Sequence, residues 1–595
     1  MIENSTEKLV TFIRGGEEVM AASESDAECV LTDKLPINHS CELREDKKTP
    51  YRTALYVTKD GIVPDSSASG AFAAGSFDND GAEGLTLQSS SHDFSAVIVD
   101  GGKYSIKNAK LRMISDADGS DTCDFIGLGS AVAAFSGSSV DIENCDISTE
   151  GVARCAVFCD NASDVVVKNS RISVMGGKLY DGYVNSADFN FMVATPWVLG
   201  IMGNARGTNL MGDKASMVLV DTDVKARNWG VLSTDNGKDN ILAVVDTKLT
   251  TVGGEDDKKN PYFKTYGSGY GTYILGCDED FRGVEMHVGT YVGIAREGNA
   301  VYRSSKGNIR IVSPSTGEVV YEGEGKGNVS RMYSDGFGIM AHDRAELTLT
   351  DGTVMETAAA AFLMRAGGVH IRVDGGAQVK AADGVIMQIL DDDDMTVGVD
   401  WNAPREIQFH TEFNEKEGWP SENGQITSLM PPPDPSDMPP PPPEGDGEGM
   451  PKPLFDVRFN AADTVLSGAL YNGSGYYGQQ AKQLYVTLES GAVLTGTISA
   501  TETIHVDENG KQNTHFTSEE YYYLGRVANR VYHNGDNAVE VRLEAGSVWN
   551  VTEAGEITSL TVCDGAVLNG SVIVDGEKIQ PEAGKTYTGK IIVSA

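Results

Sequence analysis

Basic residues are scarce in this chain. Lys and Arg number 48 against 86 Asp and Glu, which leaves a net charge of −38 over 595 residues. That balance argues against bare nucleic acid or an anionic membrane surface as a partner, because both are repelled. It also disfavours a polyuronate substrate unless a bound cation intervenes. No apolar stretch reaches about 18 residues, so no transmembrane helix is expected. The N-terminus, MIENSTEKLVTFIRGGEEVMAAS, has no basic start followed by an apolar run. No secretory leader is therefore read there, and a cytoplasmic location is expected, or a secreted one if a leader has been removed. Eight cysteines in 595 residues fall far below a disulfide scaffold. Cys155 and Cys159 stand four apart with no histidine at a zinc-finger spacing, so they read as small buried apolar residues. There is no G-x-S-x-G, no P-loop and no H-E-x-x-H, and His287 and His410 stand alone. No segment carries a long 3.6-residue pattern, which excludes a helical repeat.

What recurs instead is a short strand. Ala131-Val-Ala-Ala-Phe-Ser136, Gly200-Ile-Met-Gly-Asn204, Gly338-Ile-Met-Ala-His342 and Val385-Ile-Met-Gln-Ile389 are variants of one pattern. The marks Ala133, Val157, Ile201, Val231, Tyr273, Ile339, Leu363 and Ile386 lie 24, 44, 30, 42, 66, 24 and 23 residues apart. The short steps cluster near 24, and the long ones contain insertions. A second strand follows each mark after a polar turn, as in Val140-Asp-Ile142 and His370-Ile-Arg-Val373. This reads as a solenoid in which each coil is one rung, stacked at roughly 4.8 Å. With Asn144 and Asn169 at its corners, the chain from about residue 90 onward resembles the right-handed parallel β-helix superfamily typified by pectate lyases. The resemblance implies an all-β fold, and no catalytic signature of a single family lies within it. The expected organisation is an N-terminal cap and first coils over 1–90, a main β-helix with inserted loops over 91–429, a Pro-rich loop or linker over 430–453, and smaller coils with a cap over 454–595. The Pro-rich stretch holds 11 of the 20 prolines and favours an extended polyproline conformation. The C-terminal unit repeats as Leu488–Leu494, Leu543–Trp549 and Val562–Leu568.

Alternation along each strand places Ala134, Phe158, Met202, Leu232, Ile274, Met340, Met364 and Met387 inward. The marks themselves then face outward, and they too are apolar. Three explanations are open for an outward apolar stripe: inserted loops cover it, it lines a pocket for an apolar or aromatic ligand, or it is a protein interface. Three long insertions, Lys178–Val198, Gly253–Gly271 and Tyr291–Asp335, carry aromatic residues and fall beside these coils.

Few polar groups reach this face. His342, Asp343, Arg365, Asp235 and Tyr273 are the candidate catalytic set, with His342 as acid/base, an aspartate orienting it and Arg365 holding an enolate or carboxylate. Ser233, Gln388, Ile339, Leu363, Trp197 and Trp229 are the candidate substrate-binding residues. Asp391–Asp394 reads as a solvated acidic turn, and no metal is assigned. No cofactor is expected, with Ca²⁺ an option only for a polysaccharide lyase, where the resemblance implies aligned aspartates that this face lacks. The leading expectation is a lyase, isomerase or hydrolase of a small aromatic or apolar substrate. A polysaccharide lyase or glycoside hydrolase, and a non-enzymatic surface or adhesion protein, are the alternatives. The oligomeric state is not readable.

Overall fold

The computed structural model describes residues 51–91, 94–114, 126–151, 154–177, 206–227, 229–235, 237–253, 265–341, 344–365, 367–390, 456–475, 482–507, 509–512 and 525–595, together with short strands at Thr11–Arg14, Glu17–Met20, Glu28–Cys29, Ser421–Glu422 and Gln425–Ile426. The fold of these residues is all-β, with one long and mostly parallel sheet. Two 3₁₀ turns, Pro64–Ser66 and Ser69–Ala71, are the helical elements among them.

Strands pair in three parallel ladders, each strand bonding its counterparts in the preceding and following repeats. The first ladder runs through Phe94–Asp100, Val132–Phe135, Val157–Asp160, Thr208–Met211 and Gly230–Thr234. It continues through the first halves of Tyr270–Arg282 and Tyr291–Arg303, then Phe337–Ala341, Phe362–Met364, Val385–Ile389 and Ala469–Asn472. The second ladder includes Ser139–Glu143, Asp164–Lys168, Ser216–Val220, Asn240–Val245, the second halves of the two long strands, and Ala345–Leu349. The third includes Asp146–Glu150, Arg171–Met175, Asp223–Arg227, Lys248–Val252, Glu285–Val288 and Arg331–Ser334.

The corners explain why short polar turns suffice. Asn108, Asn144, Asn169, Asp221 and Asp246 occupy one corner column with φ between 46° and 55°. Asn and Asp tolerate this left-handed conformation because their short side chains bond locally. Hydroxyls then tie one repeat to the next: the Ser163, Ser170 and Thr247 oxygens accept the N–H of Ser138, Cys145 and Thr222 at 3.0–3.2 Å. Between the ladders lies a continuous apolar core, containing Val99, Ala134, Cys159, Leu210, Ile274, Ala295, Ala341, Met364 and Ile389 from the first ladder. The C-terminal repeats align as their sequences suggest. Leu488, Leu543 and Val562 are successive register partners, as are Leu494, Trp549 and Leu568. At this end the antiparallel strand Thr586–Ser594 pairs with Gly555–Val562 and Ser571–Val574, which covers the edge of the main sheet there.

Two expectations are corrected. The inward set mixes both faces. Phe158 and Met340 point outward, while Val157 and Ile339 are wholly buried in the core. One residue of slip inverts a strand, and both faces are apolar here, so alternation does not reveal it. Tyr302, expected in an inserted loop, stacks in the core on Phe281 at 4.7 Å. Both ends of that expected insertion, Tyr291–Arg303 and Arg331–Ser334, are ladder strands, and between them stands the antiparallel hairpin Gly307–Val312 and Val319–Gly325. It covers the second ladder and not the first, seating Ile309 and Ile311 on Val166, Val218, Ala243 and Val245.

Candidate site on the outer side of the first ladder

Ser233, Tyr273, Ile294, Met340, Leu363 and Gln388 are successive register partners on the outer side of the first ladder. Three residues before the second, third and fourth of these stand Tyr270, Tyr291 and Phe337, themselves register partners. The Tyr291 and Phe337 rings stack at 5.6 Å with 21° between planes, and Tyr270 lies 6.0 Å from Tyr273. With Trp229 and Leu390 these side chains form a second buried apolar cluster, separate from the core. The outward apolar stripe is therefore real, and it is covered.

The cover includes the segment from Gly525. A Cβ on Gly525 would sit 2.7 Å from Phe337 Cζ and 2.8 Å from Leu363 Cδ2, so only glycine lets the backbone lie on these rings. The Arg526 guanidinium stands 5.7 Å from the Phe337 ring centroid. Asn529, on the strand Val527–Val531, exchanges two amide hydrogen bonds with Gln388: Asn529 Nδ2 donates to Gln388 Oε1 at 2.7 Å, and Gln388 Nε2 donates to Asn529 Oδ1 at 3.2 Å. The Thr501 hydroxyl donates to the same Asn529 oxygen at 2.8 Å.

Asp235 and Arg365 each stand at the position just after a strand of this ladder, Gly230–Thr234 and Phe362–Met364. Asp235 pairs with Arg206, both side chains wholly buried, and the Arg206 guanidinium lies over the Trp229 ring at 4.2 Å. A buried pair of this kind holds its charge only while both partners remain. Ser233 shares a 2.8 Å hydrogen bond with the Tyr270 hydroxyl. Burial pushes the Tyr273 phenol up, while the charge and hydrogen bond of Arg296 and the charge of Arg206 pull it back down. Burial likewise raises Tyr291 to about 12 against the charges of Arg365 and Arg526. Arg365 is 2% exposed, and its backbone N–H donates to the Ala341 carbonyl at 2.9 Å. On an earlier repeat Asp160 is pushed up to about 7, mainly by burial and further by the Asp213 charge, against the Asn161 backbone bond.

Of the residues expected from sequence, the structure brings Ser233, Asp235, Trp229, Tyr273, Leu363, Arg365 and Gln388 to this one face. Ile339 is in the core instead, because its neighbour Met340 takes the outward position. His342, Asp343, Trp197 and the Asp391–Asp394 run lie outside the described residues, as do the Pro-rich stretch, His410 and Lys178–Val198. Sequence reasoning missed Arg206, Arg296 and Asn529, which carry no local signal. It also missed the aromatic column, which does: Tyr270-Gly-Thr-Tyr273, Tyr291-Val-Gly-Ile294 and Phe337-Gly-Ile-Met340 share an aromatic three places before the outward residue. Nor is His287 alone. On the third ladder its Nδ1 lies 3.2 Å from the Tyr266 hydroxyl and its Nε2 2.9 Å from Glu285, which also binds Lys248 at 3.0 Å.

Among the described residues no group of three or more His, Cys, Asp or Glu is placed to hold a metal ion, and no helix is long and apolar enough to cross a membrane. The chain matches no protein-family model and no curated protein. Fold and site together define an all-β protein of repeated parallel strands with a covered aromatic and charged strip on one outer face.

Proposed function

We propose that the three ladders wind as a right-handed parallel β-helix and that the chain is an enzyme working on the outer side of the first ladder. Its substrate is a small, anionic, ring-bearing molecule, and its reaction is that of a lyase, isomerase or hydrolase. The observation that carries this is the juxtaposition of an aromatic column, Tyr270, Tyr291 and Phe337, with the buried charged groups Arg206, Asp235 and Arg365 and the half-buried Arg296. Buried charge on an outer face is costly unless something uses it. The rings supply a stacking surface, and the guanidiniums supply charge-assisted donors for a carboxylate or a developing enolate. Tyr273, bonded by Arg296, is the described group suited to give or take a proton. His342 follows Ala341 in the chain and remains the acid/base expected from sequence.

A second reading is favoured by the burial of the same face: a non-enzymatic β-helix protein in which the strip only seats the segment from Gly525. Native mass spectrometry of the full chain with aromatic carboxylates, their uncharged amides and oligosaccharides separates the two. Retention of a carboxylate, lost for the amide and in Arg365→Met, supports the enzyme. Retention of oligosaccharide alone returns the chain to the polysaccharide-active class, and no retention supports the second reading.

A further inference from the structure

Inside the repeats, behind Tyr273, lies a carboxyl group with no cation beside it among the described residues. Glu279 is 2% exposed and shares its register with Leu242 below and Ala300 above, both core residues. Its two oxygens meet two hydroxyls: Thr272 donates to Oε2 at 2.7 Å, and the Thr234 hydroxyl lies 3.2 Å from Oε1. Thr234 also stands 2.9 Å from the Tyr273 carbonyl and receives the Leu275 N–H at 3.1 Å. This occurs where the long strand is irregular, with register shifts at Leu275 and a left-handed Gly276 at φ 65°. The Thr234 side chain therefore stands in for a ladder partner at the bulge.

The Thr234 hydroxyl has one proton, two oxygen acceptors within reach and the Cys277 thiol as a further partner. We propose that Glu279 is a proton-controlled positioning residue for the Tyr273 strand. As a neutral acid it donates to Thr234, whose own proton then holds the Tyr273 carbonyl. When the carboxyl proton leaves to solvent, the Thr234 hydroxyl keeps its proton but donates it to the carboxylate in a hydrogen bond, and the Tyr273 carbonyl loses its hydroxyl donor. Among the described residues the ionisable groups facing Glu279 are the Tyr302 phenol on the next strand and the Cys277 thiol on its own, both pushed well up by burial and then by the Glu279 charge. The strand Asn240–Val245 below has no ionisable residue, and Asp278 accepts from Asn299 on the exposed side. Burial correspondingly pushes Glu279 up to about 8, against the pull of the two hydroxyls.

The test needs no substrate, so its failure leaves the enzyme proposal standing. Infrared difference spectra of the full chain are recorded against Glu279→Gln at pH 6 and pH 9. Hydrogen exchange of the 270–282 segment is followed at both, corrected for intrinsic rates. The expected result is a neutral carboxyl C=O band at pH 6 that is absent in Glu279→Gln and fades by pH 9. Exchange of the segment rises several-fold at pH 9 in the wild type and not in Glu279→Gln. Thr234→Val, which keeps the shape and removes the hydroxyl, gives fast exchange at both pH values. Absence of the band at pH 6, or the same exchange rise in Glu279→Gln, overturns the proposal.

Discussion

Replacing Glu279 by Gln stabilises this protein, and the size of the effect follows from the burial that raises its carboxyl. In its neutral form Glu279 accepts from Thr272 through one oxygen and donates to Thr234 through the other. A glutamine amide repeats both bonds, its carbonyl accepting from Thr272 and its NH₂ donating to Thr234. The substitution therefore keeps the contacts and removes only the ionisation. The folded carboxyl titrates at about 8 against an ordinary value of 4.5. Raised in the folded state, it contributes stability that is fully present below 4.5 and is lost as pH climbs through 8. Set against the amide, the wild type is worse by about 1 kcal/mol at pH 5, about 3 kcal/mol at pH 7 and about 5 kcal/mol at pH 9, and level beyond. Urea unfolding of both proteins at these three pH values reads the difference directly. Subtracting the curves removes the pH dependence of the other 85 acidic residues. A difference that is flat with pH refutes the reasoning, and so does a Gln variant less stable than the wild type at pH 9.

Other perturbations address the outer faces. Arg206→Met leaves Asp235 buried without its cation and costs about 3–5 kcal/mol, while Arg206→Met with Asp235→Leu recovers most of it, as read by urea unfolding of the double-mutant cycle. Gly525→Ala drives a methyl into Phe337 and Leu363, costs about 1–3 kcal/mol, and raises hydrogen exchange over 525–531. Ile309→Asp places a charge in the dry seat against Val218 and Ala243, so the 307–325 hairpin becomes sensitive to limited proteolysis while exchange over the first ladder stays unchanged.

The repeats were legible because each corner leaves a chemical mark. Asn144 and Asn169 sit where a left-handed residue is required, and the Leu-Glu-Ser-Gly and Leu-Glu-Ala-Gly turns before Leu494 and Trp549 pair as their likeness suggests. The facing of individual strands was not legible around Val157 and Ile339. Alternation identifies a face only when one side is polar, and here both are buried. The candidate strip was half legible. Asp235, Tyr273, Arg365 and Gln388 follow from counting along the repeat. Arg206 stands two residues before its ladder strand, Thr208–Met211, where nothing marks it, and Asn529 lies 141 residues from the glutamine it pairs with. Contacts across such separations depend on how the chain returns, which no local pattern encodes. The hairpin over the second ladder shows the same limit, since its apolar seat on Val218 and Ala243 is built from two separate repeats.

The central claim is that chemistry occurs on the outer side of the first ladder, and substrate depletion followed by mass spectrometry tests it most directly. The full chain is incubated with a mixed panel of small aromatic acids and a panel of polysaccharides, with and without chelator, beside Tyr273→Phe and Arg365→Met. The account predicts depletion of a small aromatic acid that is indifferent to chelator and lost in both variants. Chelator-sensitive shortening of a polysaccharide, or depletion that survives both substitutions, contradicts it.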